Sequence, residues 1–395
     1  MTSRIEWVTS SCRLLAGIAK EFRESLPFGG MTIGTGIHLE PKTAVLLSTL
    51  HDGGARVIST GNLNSTQSDT VNYLRESGIE VVGTQTRDVN AHDKDLTTVL
   101  EARPELILDN GGDLFVRYLE NPYEGLLGGT EETTSGRIRL ERLRDEMKIP
   151  TLVINDSPIK QFAENEHAVG QSVFESFMRI TNRSTQGKRV VVFGYGACGR
   201  GIAANFRNAS SLVTVLDTNP VTLLNACLDG FYVQDREKAL SGADVVITAT
   251  GADSVVRGED LAQFKDDVIL ANAGHFPFEI DVDGLLNDPS IVSVTPSTPG
   301  LQTLLTRDGR RIHLLGEGHM VNLAGPHPLG NSIESMDLGF ALQARCLEAI
   351  ATGNVNPLDI VVPVPGRIDQ LVAQAYLDLV SQPASSYTQS PASTA

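Results

Sequence analysis

A chain of 395 residues, 41% hydrophobic and 20% charged, has material for two or three domains and the composition of an ordinary globular protein. A formal net charge of −16 excludes a general nucleic-acid binder, which needs clustered Lys and Arg, and no apolar run is long enough to span a bilayer. Cys12, Cys198, Cys227 and Cys346 are scattered without metal-ligand spacing, and the N-terminus lacks a signal peptide's basic start and apolar core, so the expectation is a cytoplasmic protein without disulfides or metal.

In chain order, short apolar runs at 31–37, 55–59, 79–82, 106–108 and 151–154 alternate with amphipathic stretches. That spacing predicts parallel βαβ units, hence a first α/β domain. Residues 170–185 read as a helix leading into a second domain. There an apolar run from Val190 to Phe193 enters Gly194-Tyr195-Gly196-Ala197-Cys198-Gly199, followed by a helix-compatible segment and a second apolar run ending on Asp217. Further strands are expected at 231–234, 243–248 and 268–271, and residues 336–379 return to helical periodicity, predicted to pack back on the first domain. The Ser/Pro/Ala-rich end, 383–395, reads as disordered. The fold class is therefore α/β with two domains, a substrate-binding one at 1–170 and 333–382 and a Rossmann-type one at 171–332.

Strand, glycines, helix, strand and terminal acid together form a dinucleotide fingerprint. Gly194 permits the tight turn, Gly196 lets the backbone approach a pyrophosphate, and Gly199 lets helix and strand pack. The pyrophosphate then meets the free N–H groups of a helix N-terminus. Asp217 accepts from ribose hydroxyls and repels a 2′-phosphate, which favours NAD over NADP. Cys198 reads as small filler in this loop, not as a nucleophile.

Polar clusters interrupt the apolar segments at His38-Leu39-Glu40-Pro41-Lys42-Thr43, Asn64-Ser65-Thr66-Gln67, Asp109-Asn110-Gly111-Gly112-Asp113, Glu131-Glu132-Thr133-Thr134-Ser135-Gly136, Asn155-Asp156-Ser157-Pro158-Ile159-Lys160 and Asn272-Ala273-Gly274-His275-Phe276. At the carboxyl ends of strands such groups face a ligand crevice, although each taken singly reads as a cap or a turn. Together, in this order, they resemble the S-adenosylhomocysteine hydrolase family from about Ile37 to Ala375.

The resemblance implies a tightly held NAD recycled within each turnover: the ribose 3′-hydroxyl is oxidised, the acidified C4′–H is removed, the 5′ substituent leaves, water adds and the ketone is reduced. It implies Glu132 and Thr133 at the ribose, with Thr133 next to the nicotinamide, and Lys42 and Thr43 at the substrate. Lys160 would contact the 2′- and 3′-hydroxyls and help deprotonate the latter, which near neutral pH requires burial or a neighbouring cation. Glu164 stands where the family has the aspartate that takes the C4′ proton, and His38 and His275 would carry protons near C5′. Cofactor contacts would come from Thr133, Thr134, Ser135, Asn165, Gly194, Gly196, Ala197, Cys198, Gly199, Arg200, Gly201, Asp217, Thr250, Gly251, Ala273, Gly274, His275 and Asn322.

Five departures from the family pattern stand out. Asn110 replaces an aspartate that contacts the substrate near its 5′ end, and Glu164 is one methylene longer than the usual base. The gate segment after Asn322 is longer, so that either His327 or Asn331 holds the gate position. No lysine follows Lys265, whereas the family's C-terminal extension carries one to the neighbouring subunit's NAD, so retention of the cofactor and the usual tetramer are open. Lys42, a donor, stands where many members have a glutamate that accepts from adenine, and so suits a carbonyl such as that of hypoxanthine.

The leading reading from sequence is a divergent nucleoside dehydratase that forms a 4′,5′-unsaturated, angustmycin-type product, with His38 as acid and Asn110 near the 5′ group. The alternative is an authentic S-adenosylhomocysteine or S-inosylhomocysteine hydrolase. An inactive NAD-binding regulator and a simple dehydrogenase releasing a 3′-keto product are weaker competitors. The expected partners are a small nucleoside and further copies of the chain in a dimer or tetramer, with neither nucleic acid nor membrane.

Overall fold

The computed structural model describes residues 4–63, 65–86, 88–275 and 277–381. The tail expected to be disordered at 383–395, together with Asn64 and Phe276, lies outside the described residues. The chain divides into two compact units, one of Met1–Ile159 with Asp337–Ala395 and one of Lys160–Met336.

In the first unit β1 (Thr32–Ile37), β2 (Arg56–Gly61), β3 (Glu80–Val82), β4 (Leu106–Asp109), β5 (Gly128–Glu131) and β6 (Thr151–Val153) join the short strand Val362–Pro363 in a seven-stranded sheet. The order is Val362–Pro363, β6, β5, β4, β1, β2, β3, and every pair is parallel. Helices such as Pro41–Asp52, Val89–Glu101 and Asp113–Glu120 make the crossovers that parallel pairing demands. The strands are covered on both faces, which is why they read as apolar runs without alternation. Strand β5 is the exception, since Gly-Gly-Thr-Glu has no apolar run and was not expected as a strand. Its glycines are imposed by neighbours: a Cβ on Gly129 would lie 2.2 Å from the Ile107 carbonyl oxygen, and one on Gly128 2.5 Å from that of Pro150.

The C-terminal segment forms two helices, Ile333–Ala351 and Gly366–Ser381, and from Asp337 onward it falls in the first unit. Asp337 ties it down by accepting from the Leu14 and Leu15 amides at 2.7 and 2.9 Å, the start of the helix Arg13–Ser25.

The second unit begins at Lys160, not near residue 171, and ends at Met336 instead of 332. The reason at its start is covalent continuity: the π-helix Lys160–Ala168 runs straight into the helix Val169–Thr181. Its sheet contains β7 (Arg189–Phe193), β8 (Leu212–Leu216), β9 (Tyr232–Val233), β10 (Val245–Thr248), β11 (Val268–Asn272), β12 (Ile291–Thr298), β13 (Leu301–Thr306) and β14 (Arg311–Leu315). The eight-stranded order is β12, β13, β14, β11, β10, β7, β8, β9. Strands β9 to β14 across the centre are parallel, the Rossmann-type arrangement, while β12 and β13 extend it as an antiparallel meander that the sequence reading did not include. Val190, Val192, Val213 and Ile247 of this sheet share one buried cluster with Ile202 and Phe206 of the helix Ala197–Asn208.

Candidate active site

The first sheet reverses direction between β1 and β4, since the chain builds outward through β2 and β3 and returns to β4, β5 and β6 on the other side. Ligands of such sheets bind at the carboxyl ends of the strands flanking the reversal. Those ends carry His38 and Asn110, each one residue past its strand. The Thr43 hydroxyl donates to the His38 carbonyl at 2.6 Å, and His38 Nδ1 meets the Ser65 hydroxyl.

Glu40 and Lys42 form a buried ion pair, Nζ to Oε2 at 2.7 Å. Burial pushes the Glu40 carboxyl above its ordinary value and the Lys42 charge opposes the rise. Asn110 sits between two side chains. Its Nδ2 donates to Glu132 Oε2 at 2.9 Å, and its Oδ1 accepts from Asn62 Nδ2 at 2.8 Å.

Below this layer Asp109 and Glu131 brace the turns. Asp109 accepts from the amides of Asn110, Leu114 and Phe115, and Glu131 from those of Gly111, Gly112 and Thr133. Burial raises both carboxyls, that of Asp109 to about 7, against the pull of these N–H groups. The Thr133 hydroxyl donates to Glu131 and accepts from the Gly136 amide, which makes Thr133 the N-cap of the helix Thr134–Arg142. Ser135 and Thr133 hydroxyls lie 3.0 Å apart, and the Thr134 hydroxyl donates to Asn155.

In the second unit Lys160 Nζ and Glu164 Oε1, four residues apart on the π-helix, are in direct contact, both buried. Lys160 is thus buried, one of the two conditions its expected role requires, and among its contacts is the Glu164 carboxylate. Asn165 follows, half-buried. Further on, Arg200 pairs with Glu166 at 2.8 Å, and a Cβ on Gly201 would stand 1.8 Å from the Glu166 carbonyl oxygen. Those two residues therefore fasten the helix Ala197–Asn208 to the π-helix.

The glycine loop fits a dinucleotide. Gly194 has φ +91°, a Cβ on Gly199 would lie 1.9 Å from the Gly194 carbonyl oxygen, and Gly196 has no atom within 4 Å of the Cβ it lacks. The helix starts at Ala197, so its first amides open onto that space. Asp217 accepts from the Tyr195 and Asn219 amides, each at 2.9 Å, which fixes the acid beside the loop. Burial pushes the Cys198 thiol up to about 11, in keeping with filler rather than nucleophile.

Across the sheet, Asn272 shapes the turn that presents His275: its Oδ1 accepts from the Gly274 amide and the Thr248 hydroxyl, and its Nδ2 donates to the Gly318 carbonyl. Glu279, fully buried, accepts from the Thr250 amide and hydroxyl and from the Gly251 amide. Asn322 donates to Ser172 at 3.0 Å and to Asn331 at 3.4 Å, while its buried Oδ1 has no partner among the described residues. That acceptor suits the carboxamide N–H of a nicotinamide. Of the two gate candidates, Asn331 joins this knot by accepting from Ser172, and His327 is exposed at φ +49°.

Sequence reasoning missed Asn62, Asp109, Glu131, Glu279 and Ser172 as supports of the site. Only Asp109 and Glu131 gave a signal, as members of the polar clusters 109–113 and 131–136. Among the described residues no helix is long and apolar enough to cross a membrane, and no group of three or more His, Cys, Asp or Glu is placed to hold a metal.

The family described as S-adenosyl-L-homocysteine hydrolase matches residues 3–124, and the family's NAD-binding domain matches residues 165–327. Adenosylhomocysteinase of Thermotoga maritima is 40% identical over 381 residues, 95% of this chain and 93% of that protein. The S-inosyl-L-homocysteine hydrolase of Methanopyrus kandleri is 39% identical over 381 residues, 95% of this chain and 89% of that protein. Adenosylhomocysteinase of Thermococcus kodakarensis is 38% identical over 380 residues, with coverage of 95% and 89%. With its dinucleotide loop, Asp217 and polar strand ends in place, the chain belongs to the NAD-binding S-adenosyl-L-homocysteine hydrolase family.

Proposed function

We propose that the protein hydrolyses an S-nucleosidyl-L-homocysteine to a nucleoside and homocysteine. The observation that carries this reading is the buried Lys160–Glu164 contact on one π-turn, a base held against a cation in the unit that has the dinucleotide loop. Bound NAD supplies the hydride chemistry at C3′. Glu164 is the acceptor for the C4′ proton, and Lys160 orients the 3′-oxygen and relays its proton. Glu132 accepts from the ribose hydroxyls.

Asn110 favours the hydrolase over the dehydratase. Its amide has no proton to give and is engaged with Glu132 and Asn62. A homocysteine thiolate leaves C5′ without prior protonation, whereas hydroxide needs an acid. The dehydratase, placed first on sequence, therefore stands second, with His38 as its acid, and the relatives named above are hydrolases. For the base, the buried Lys42 ammonium is a donor and suits the hypoxanthine carbonyl, so S-inosylhomocysteine is the preferred substrate and S-adenosylhomocysteine the poorer one.

The test is thiol release from both compounds by NAD-loaded protein. Faster release from the inosyl compound is expected. No thiol from either, with loss of water from a 5′-hydroxyl nucleoside seen by mass, overturns the hydrolase in favour of the dehydratase.

A further inference from the structure

We propose that Asn110 is a positioning residue: through a one-way chain of amide hydrogen bonds from Asn62 it holds Glu132 as an oriented acceptor without adding a charge beside it. The inference rests on the reading of Glu132 as the group that accepts from the ribose hydroxyls.

The direction of the chain follows from chemistry. An ionised carboxylate only accepts, so the Asn110 atom 2.9 Å from Glu132 Oε2 is the amide nitrogen. The Asn110 oxygen then faces Asn62, whose Nδ2 donates to it at 2.8 Å and reaches the Asn110 carbonyl at 3.3 Å. Three loops, following β2, β4 and β5, are thereby locked with each amide in one orientation, and Asn110 and Glu132 are only 5% and 4% exposed.

The charges around Glu132 explain why an amide suits this place. Glu40 and Lys42, after β1, form their own pair, and Glu40 feels the Glu132 charge. Asp109 and Glu131 precede Asn110 and Glu132 in the chain, and His38 ends β1. The titratable groups at these strand ends are therefore Glu40, Asp109, Glu131 and Glu132 with Lys42 and His38, and the Arg4 charge also acts on Glu40. Asn110 adds a donor to this acidic group without adding a charge. A carboxyl in its place would donate only while protonated, and once ionised it would repel Glu132 at contact distance, since two such groups cannot both ionise freely.

The experiment compares the wild type with Asn110→Asp and with Asn110→Asp/Glu132→Gln. In Asn110→Asp the new carboxyl has a folded value raised above its unfolded one. Its penalty is absent at low pH and grows as pH rises. The melting-temperature gap to wild type should therefore widen from about pH 5 to about pH 8, and the widening should vanish when Glu132 is Gln. The ratio of kcat/KM for Asn110→Asp to wild type should fall on the order of tenfold over the same span, Asp109 and Glu131 cancelling because both proteins carry them. A gap that does not change with pH, or that widens equally without Glu132, overturns the proposal. A gap that behaves as described, in a wild type that releases thiol from neither homocysteine compound, upholds the hydrogen-bond chain and overturns the functional reading instead.

Discussion

Lys160 and Glu164 illustrate how a residue's role depends on what it touches. Each was expected near the ribose, but their mutual contact makes them a single ionic unit. Replacing Glu164 by Gln removes the acceptor while keeping the shape, and thiol release should slow by about 10²–10⁴-fold with NAD still bound, as a calorimetric titration would check. Cys198 gives a prediction of the opposite kind. With its thiol pushed up to about 11 it is protonated throughout the neutral range, and its labelling rises only as pH approaches that value. At neutral pH a maleimide should modify the exposed Cys227 first, and mass spectrometry of peptides shows which thiol carries the label. The candidate residues themselves were legible in the sequence, because they fall in polar clusters set in a recognisable order. Their supports were not: Asn62, Glu279 and Ser172 lie in ordinary polar stretches and acquire meaning only from a partner 48, 29 or 150 positions away.

At the scale of elements, two departures from expectation have separate causes. The π-helix cannot be read from periodicity, since it runs on without a break at Ala168 into the α-helix Val169–Thr181, yet it carries the Lys160–Glu164 contact. Strand β5 carries two glycines because backbone approaches it closely from Ile107 and Pro150. Tight approach also governs the turn after β11. A Cβ on Gly274 would lie 1.5 Å from Glu279 Oε1, so Gly274→Ala must displace the carboxylate that holds Thr250 and Gly251. The change should lower stability by about 2–4 kcal/mol, the range for disturbing a buried hydrogen-bonded acid, measured by urea unfolding. It should also weaken NAD binding, because the displaced loop belongs to the expected cofactor contacts.

For the whole molecule, binding NAD to the folded state alone raises stability by mass action, by about 2.7 kcal/mol at a hundredfold excess over Kd. NAD should therefore raise the melting temperature, and NADP at the same concentration should raise it less. Asp217→Ala should narrow that difference, since the acid anchored on Tyr195 and Asn219 is what disfavours a 2′-phosphate. A wild type stabilised equally by both cofactors would count against the assignment of Asp217.

The sequence by itself determined the fold class, the dinucleotide loop and the polar clusters, because these depend on local period, glycine spacing and motif order. Tertiary structure alone decided that the second unit starts at Lys160, that β5 is a strand, and that β12 and β13 extend the second sheet. It also decided that Asn110 joins Asn62 to Glu132 and that Glu40 neutralises Lys42. Pairings of that kind are set by which strand ends the crossovers bring side by side, and neither composition nor spacing along the chain encodes that adjacency.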